Sequence, residues 1–473
     1  MGLPNVLNTG RSGMVASRSS IATAGHNISN ANTEGYSRQR TIQETNLAHP
    51  YGVNVVGTGT QVRRTERIND EYLEKQVRNS DRELAHAEEK DMALRQTEDI
   101  FNEMNGDGIN RLMSRFFNEF RKLANEPNNE AIRQSVREAS QTLVTDFHRL
   151  RKEVSEVQTH IDSRVDGYVR EINTLTQEVQ ELNAQIAKHE VLHGPANDLQ
   201  DKRDLTLKKL ASFLDLTMVN DGKGNVNVDI KGVGPLINGP TVEKFSVERS
   251  PADLDRGKQD GALDVRSSAA PQGVLTNILK GGKLGALLEV RDGTLSTVID
   301  RLDELAFGVA QAVNSVHQQG YDRYGNVGVN FFEPIGTKER AAERLELSEA
   351  VRSNVSHIAT AAQPESPGDN RIAIAISGLQ SERFLGGGNT TADDFYNSIV
   401  SDVGVVTNRN RATLNQQKDI RTQLGKLRDQ ISGVSIDEET ANLMQFQHAF
   451  EASARVISIA DEMMKTVLDL KRT

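Results

Sequence analysis

The run HEVLH at positions 189–193 is the strongest candidate for chemistry in this sequence. In the HExxH pattern of zinc peptidases, two histidines one helical turn apart bind the metal and the glutamate between them activates water. Here those residues would be His189, Glu190 and His193. A Gly-Pro pair follows at once, so the histidines would lie on the last turn of a helix, and no motif marks a third ligand. We favour a solvated helix end and keep a zinc metallopeptidase as the alternative.

Other reactive patterns are incomplete. The glycine-rich runs at 384–391 and 281–285 lack the Lys-Ser or Lys-Thr pair that completes a phosphate-binding loop. The turn at 322–326 has too few oxygen donors in register for an EF-hand. Cysteine is absent, which removes thiol nucleophiles and thiolate ligands. We therefore predict a protein that is not an enzyme and has no catalytic, cofactor-binding or metal site.

Composition limits the partners. Of the 473 residues, 36% are hydrophobic and 4% aromatic, and the net charge is -10. The sequence has no run of Lys or Arg that would follow a nucleic acid backbone, and no segment nears the roughly 18 apolar residues of a membrane span. The first ten residues lack the basic and apolar regions of a secretory signal. We expect neither nucleic acid binding nor membrane insertion.

The elements that would position any site are mainly helical. From about residue 131 to 190, apolar residues recur at intervals of three and four, with one stutter between Ile161 and Val165. Such a helix would be roughly 90 Å long. Residues 295–316 and 424–431 repeat this spacing, which predicts an elongated helix bundle.

One segment has a different period. Alternating apolar residues at 214–218 and 226–230 flank the polar turn NDGKGN, which predicts a β-hairpin within a β-rich insert. The run IAIAI at 372–376 fits either a strand or a short helix, so the segment 321–390 stays open.

Both ends of the sequence carry heptads. The positions that form this assembly seam are Leu7, Met14, Ile21, Ile28, Leu443, Phe446, Phe450, Ile457, Met464 and Val467. The N-terminal seam is rich in Ser, Gly and Ala, so alone it buries little apolar area. The two ends can pack on one another or on neighbouring subunits, or each can dock on its own domain. Periodicity leaves these alternatives open.

A family resemblance adds to this reading. The run HNISNANTEGYSRQ at 26–39 resembles the signature that follows the first helix in rod, hook and hook-associated proteins of the bacterial flagellum. Its turn-forming residues end the helix and redirect the chain. The signature positions are Asn27, Asn30, Asn32, Gly35 and Tyr36. Runs at 194–211, 281–295 and 434–470 extend the resemblance over nearly the whole chain to the FlgK family of hook-associated proteins.

The resemblance implies a structural axial protein of the flagellum that assembles at the distal end of the hook and forms the junction with the filament. The implied partners are further copies of the chain, the hook protein, the next hook-associated junction protein and a cytoplasmic export chaperone of the FlgN type on the C-terminal helix. The implied location is extracellular, after secretion by the flagellar type III apparatus. Another axial protein, such as the hook subunit, is a further alternative.

The predicted architecture is mainly α with a β-rich insert, in an elongated multi-domain chain with terminal coiled-coil helices. Residues 1–40 and 434–473 form the inner domain of this prediction. Residues 41–210 and 283–433 form the helical bundle, and residues 211–282 form the β-rich outer domain.

Overall fold

The computed structural model describes residues 3–51, 54–101, 108–222, 224–249, 261–268, 270–366 and 368–470. The chain is elongated and mainly helical, with a few small sheets. In chain order the helices are α1 (Leu3–Ser29), α2 (Glu71–Ile100), α3 (Ile109–Asn125), α4 (Glu130–His193), α5 (Asn197–Phe213), α6 (Gly282–Glu289), α7 (Ser296–His317), α8 (Ala341–Arg344), α9 (Glu349–Ser353), α10 (Arg371–Gly378), α11 (Ala392–Ser432) and α12 (Ile436–Leu470).

The strands form small antiparallel sheets. They are β1 (Gln39–Thr45), β2 (His49–Tyr51), β3 (Asn54–Val56), β4 (Thr60–Arg67), β5 (Leu216–Asn220), β6 (Val226–Ile230), β7 (Gly234–Asn238), β8 (Thr241–Val242), β9 (Phe245–Arg249), β10 (Leu263–Ser267) and β11 (Ala270–Val274). Across the described part of the chain, none of the helices has the length and apolar character that a membrane span needs.

The long helix α4 confirms the predicted rod. Its 64 residues correspond to about 96 Å. The Asn129 side chain caps its start by accepting hydrogen bonds from the amides of Ala131 and Ile132. Its predicted apolar stripe is buried from Leu143 to Ile186 except at Val157 and Tyr168, which are half-buried. The rod therefore exists because one face of α4 is covered along its length.

The core at one end of the rod is aromatic. Phe116 and Phe120 of α3 pack against Phe331, and Phe331 packs edge-on against Phe332. Helix α3 carries Phe116 and Phe120 on its buried face. The ambiguous run at 372–376 is helical in α10, because Ile372, Ala373 and Ile376 then share one buried face.

The predicted hairpin is confirmed by the antiparallel pair β5 and β6, in which Leu216 faces Ile230. The insert lies along α4 and is held there by two asparagines. Asn183 donates to the Val226 carbonyl at 3.0 Å and accepts from the Val226 amide at 3.2 Å. Asn173 makes the same pair of bonds with Phe245. Each side-chain amide thus extends a sheet edge onto the helix.

The helical bundle was predicted to begin at residue 41. Residues 39–67 instead form β1 to β4, of which β1 and β4 pack on α1. The strands meet α1 through polar side chains: Thr23 and Thr41 share a hydrogen bond of 3.0 Å, and Gln43 donates to Ser20 at 3.0 Å. Apolar alternation, the signal for a half-buried strand, is therefore weak here.

Helices α2 and α11 pack on each other and run from the rod to the region that contains helix α1. They run antiparallel, and acids on α2 face arginines on α11. The pairs are Glu74 with Arg428 at 3.2 Å, Asp81 with Arg421 at 2.9 Å and Glu98 with Arg411 at 2.7 Å. These ion pairs fix the register of a helix pair whose interface holds few large apolar groups.

We predict that Asn183→Ala destabilises the insert by about 1–3 kcal/mol, because it leaves both polar groups of Val226 without their buried partner. Hydrogen exchange of the β6 amides measures the loss. Gln177→Ala, at an exposed position on α4, should change stability by no more than about 0.5 kcal/mol. Equal exchange rates in the two variants would contradict the role assigned to Asn183.

Candidate assembly interface

Helices α1 and α12 pack on each other in antiparallel orientation. Gly10 lies beside Ile457 and Ser453, whereas Asn27, further along α1, meets Glu439 near the start of α12. Of the alternatives left open by periodicity, the two ends therefore pack on one another within a single chain. We call α1, β1 to β4 and α12 together the α1–α12 unit.

Small residues allow this close approach. Gly10, Ser17 and Ala24 form the buried stripe of α1. A Cβ atom on Gly10 would lie 2.8 Å from Ile457 Cγ1, and one on Gly13 would lie 2.7 Å from Ser453 Oγ, so larger side chains would push the helices apart. The small residues that leave the N-terminal seam with little apolar area are therefore the residues that allow α12 to pack closely on α1.

The predicted bulky seam residues flank this stripe. Most of them are half-buried, and Val467 is 54% exposed. The half-buried positions are Leu7, Met14, Ile21, Ile28, Leu443, Phe446, Phe450, Ile457 and Met464. The packing of α1 on α12 leaves each of these side chains partly open to solvent.

Helix α12 also keeps an apolar stripe partly exposed along the border of its contact with α1, where Val456 still lies beside Gly10. Val456, Ile459, Met463 and Val467 follow intervals of three and four residues, and their exposed fractions range from 39% to 54%. Soluble monomers seldom expose contiguous apolar surface of this kind unless it binds a partner. We call these four residues the outward stripe.

The signature turn centres on Asn27, which is 1% exposed. Its amide nitrogen donates to the Gln39 carbonyl and to Glu439 Oε2, both at 2.9 Å. Its oxygen accepts from the Tyr36 hydroxyl at 2.7 Å and from the Gln39 amide at 3.0 Å. All four hydrogen-bonding positions of the side chain are used, which fixes α1, the turn and α12 relative to one another.

Tyr36 is buried beside carboxylates. Burial raises the pKa of its phenol, and the nearby charges of Asp198, Asp201 and Glu439 raise it further. The hydroxyl therefore stays protonated and donates to Asn27, while it accepts from His26 Nδ1 at 3.0 Å.

The other signature residues shape the turn. The Asn30 side chain donates to the His26 carbonyl at 3.0 Å, and Asn32 is exposed. Gly35 has φ +81, and a Cβ there would lie 3.1 Å from Leu205 Cβ on α5. Glycine suits this position on both counts, conformation and space.

A buried ion pair joins the turn to α12. Arg38 Nε donates to Glu439 Oε1 at 2.7 Å, and the Glu439 side chain is 4% exposed. The Arg38 amide also donates to the Ser432 carbonyl at 3.0 Å, at the end of α11. The turn is thereby tied to the joint between α11 and α12.

The start of α5 contacts the same turn. Asp201 accepts from the Ser37 amide at 3.1 Å and from Arg67 at 2.8 Å. Asp198 accepts from the Gln39 side chain at 2.9 Å. The end of the rod is thus joined to the α1–α12 unit through polar contacts.

The HEVLH run ends α4 as predicted. His189 Nδ1 donates to the Gly194 carbonyl at 3.1 Å, and Glu190 accepts from Gln200 at 2.5 Å. The side chain of His193 lies outside the described residues. Within the described part of the chain, His, Asp and Glu side chains nowhere form a group of three or more that could hold a metal ion.

Family comparisons match this chain in three segments. Residues 94–332 match the family described as the flagellar hook-associated protein FlgK helical domain, and they make up just over half of the sequence. Residues 428–470 match the flagellar basal body rod FlgEFG protein C-terminal family, and residues 7–36 match the flagella basal body rod protein family.

The chain belongs to the FlgK family of flagellar hook-associated proteins. It is similar to flagellar hook-associated protein 1 of Bacillus subtilis, with 27% identity over 98% of this chain and 97% of the relative. The protein of the same name from Salmonella typhimurium is 24% identical over 99% of this chain and 100% of the relative. The flagellar hook junction protein FlgK from Burkholderia pseudomallei shares the fold, with a TM-score of 0.67, 17% identity and coverage of 76% of this chain and all of that one.

Three sequence runs that suggested the FlgK family meet at one point in the fold. The signature turn, the start of α5 and the start of α12 converge on Asn27, Asp201 and Glu439. Sequence reasoning singled out Asn27 but missed Arg38, Asp201 and Glu439. Their partners lie more than 160 residues away, and charged residues alone give no periodic signal.

We predict that Gly13→Cys combined with Ser453→Cys forms a disulfide within one chain. The Cβ atoms would be 3.5 Å apart, which suits disulfide geometry, and the native chain has no cysteine to compete. A mobility shift of the oxidised monomer, independent of protein concentration, measures closure. Gly25→Cys with Ser453→Cys is the control, because Gly25 faces open space. Exclusively intermolecular bridges would show that α1 and α12 meet only between copies.

We also predict that Asn27→Ala loosens the signature turn, because the Tyr36 hydroxyl and both backbone groups of Gln39 lose a buried partner. Each such loss costs about 1–3 kcal/mol. Hydrogen exchange over residues 28–40 should accelerate strongly. Asn32→Ala, at an exposed position of the same turn, should leave exchange unchanged; a similar acceleration in this control would refute the assignment.

Proposed function

We propose that this protein is a structural axial subunit of the bacterial flagellum that assembles at the distal end of the hook and forms the junction with the filament. Membership of the FlgK family supports the axial role. The relatives from Bacillus and Salmonella carry the name flagellar hook-associated protein 1, which favours the junction over the hook itself. The observation that carries the assembly mechanism is the outward stripe of α12.

The outward stripe supplies a driving force for polymerisation. Complete burial of a Val, Ile or Met side chain contributes about 1.5–3 kcal/mol, and each of the four residues is roughly half exposed. Burial of the stripe against a neighbouring copy would therefore contribute several kcal/mol per subunit. In this proposal, neighbouring copies also cover the exposed parts of the predicted seam residues, from Leu7 to Val467.

The proposed partners follow from this role. Copies of the chain contact one another laterally, the hook protein lies on one side of the junction and the next hook-associated protein on the other. Before assembly, an export chaperone of the FlgN type shields α12, because its outward stripe would otherwise promote premature association. The protein acts outside the cell after export by the flagellar type III apparatus, and its role is structural rather than catalytic.

We predict that Ile459→Asp abolishes assembly without unfolding the subunit. Ile459 is 54% exposed, so a charge there is tolerated in the monomer but is costly in a buried contact between copies. The purified variant should keep the melting temperature of the wild type. In a flagellated strain that lacks its own FlgK-family gene, the variant should leave hooks without filaments, as counted by electron microscopy.

The matched control is Ile374→Asp on α10, where the isoleucine is 52% exposed and far from the α1–α12 unit. This variant should restore filaments as the wild type does. Normal filaments with Ile459→Asp would disprove a role of the outward stripe in assembly. Failure of the wild type itself to reach hooks would disprove the junction role.

A further inference from the structure

The last residue of α7, His317, is a fully buried histidine whose two ring nitrogens have different roles. Nδ1 donates to the Val329 carbonyl at 2.7 Å, because a carbonyl oxygen can only accept. Nε2 accepts from the Ala359 amide at 2.8 Å, because an amide N–H can only donate. The ring also packs edge-on against Phe331, with the ring centroids 5.4 Å apart. These partners select the neutral imidazole with its proton on Nδ1.

The two bonds of His317 tie the end of α7 to two irregular segments of the chain. Val329 belongs to the segment that follows α7, and Ala359 comes shortly after the single turn at residues 355–357. The segments also contact each other, since the Tyr321 amide donates to the Ala361 carbonyl at 2.8 Å. One side chain therefore holds both segments against Phe331 in the aromatic core of the rod.

A buried cation lies close to this histidine. Arg133 of α4 is 2% exposed, and its guanidinium donates to the Ile358 carbonyl at 2.5 Å, the Pro127 carbonyl at 3.0 Å and the Thr360 hydroxyl at 3.1 Å. None of these three acceptors is a carboxylate, so the positive charge is not neutralised by a directly bonded acid. A second positive charge on His317 would be repelled by it.

The acid nearest to this centre already has its own partners. The Asp322 side chain is fully buried and accepts from the Asn326 side chain at 3.0 Å and from His357 Nδ1 at 2.7 Å. The bond from His357 survives protonation of that ring, because Nδ1 donates in both charge states. At His317, by contrast, protonation turns an acceptor into a donor. The other charged groups in this part of the fold form two ion pairs, Arg323 with Glu130 at 3.9 Å and Arg371 with Asp369 at 2.8 Å.

The environment of His317 favours its neutral form. Burial lowers the pKa of the imidazole to about 4, and the charge of Arg133 acts in the same direction, whereas the bond to Val329 and the charge of Asp322 oppose the shift. A solvated imidazole in an opened segment has a pKa of about 6.5. As the pH falls from about 6.5 to 4, the open state binds a proton that the closed state does not, so the closed state loses stability.

We propose that His317 is an acid-sensitive switch that holds the segments around Val329 and Ala359 on the rod at neutral pH and releases them in mild acid. Once Nε2 carries a proton, it and the Ala359 amide are two donors that face each other, and their bond is lost. Release of the two segments uncovers Phe331 and admits water to the aromatic core. The switch lies in the rod and operates whether or not the protein assembles at the hook.

Amide hydrogen exchange of the full-length protein tests the switch. After correction for the intrinsic exchange rate at each pH, the opening equilibrium at the Phe331 and Ala359 amides should rise about thirtyfold from pH 7.5 to pH 5. His317→Gln keeps one donor and one acceptor but cannot titrate, so its opening should rise no more than about threefold. His160→Gln, at an exposed position on α4, is the matched control and should respond to pH as the wild type does. The same pH response in the wild type and in His317→Gln would overturn the switch.

A second measurement on the wild type decides the matter even if His317→Gln fails to fold. Histidine labelled with carbon-13 at Cε1 reports the charge of each imidazole by NMR. The imidazole whose protons lie next to the Phe331 ring should still be neutral at pH 5, with its proton on Nδ1. A protonated ring at that position in the folded protein at pH 5 would equally overturn the proposal.

Discussion

Helix α1 cannot be stable on its own, and the α1–α12 unit is built around this constraint. Its buried face consists of Gly10, Ser17, Ala24 and similar small residues, which remove little apolar area from water. Ordering the backbone costs about 1–2 kcal/mol per residue, so an isolated α1 would lack compensation. The helix is ordered because β1 and β4 pack on one side of it and α12 packs on another.

Polar contacts supply the specificity that the small apolar area does not. A helix stripe of Gly, Ser and Ala can slide against its neighbour with little change in buried surface. The four hydrogen bonds of Asn27 and the ion pair between Arg38 and Glu439 permit only one alignment. The heptads therefore bring α1 and α12 together, and directional polar bonds determine how they align. The ion pairs between the antiparallel helices α2 and α11 determine the alignment of those two helices in the same way.

Sequence reasoning was accurate where burial is apolar and periodic. The stripe of α4 and the hairpin β5–β6 produce clear periods of 3.6 and 2, and both were found close to their observed bounds. The strands β1 and β4 were missed because Thr41 and Gln43 meet α1 through polar groups. The contacts of Glu439 and Asp201 were missed because long-range polar pairing leaves no local pattern. The run in α10 was ambiguous because five alternating residues fit both periods.

The pairing of α1 with α12 also orders events in time. More than 400 residues separate the two helices, so a ribosome has released α1 long before it makes its cover. A product that stops just before α12 contains the rod and the insert but no closed α1–α12 unit. The α1–α12 unit thus closes only in the finished molecule, and so does the surface that we propose for contact with further copies.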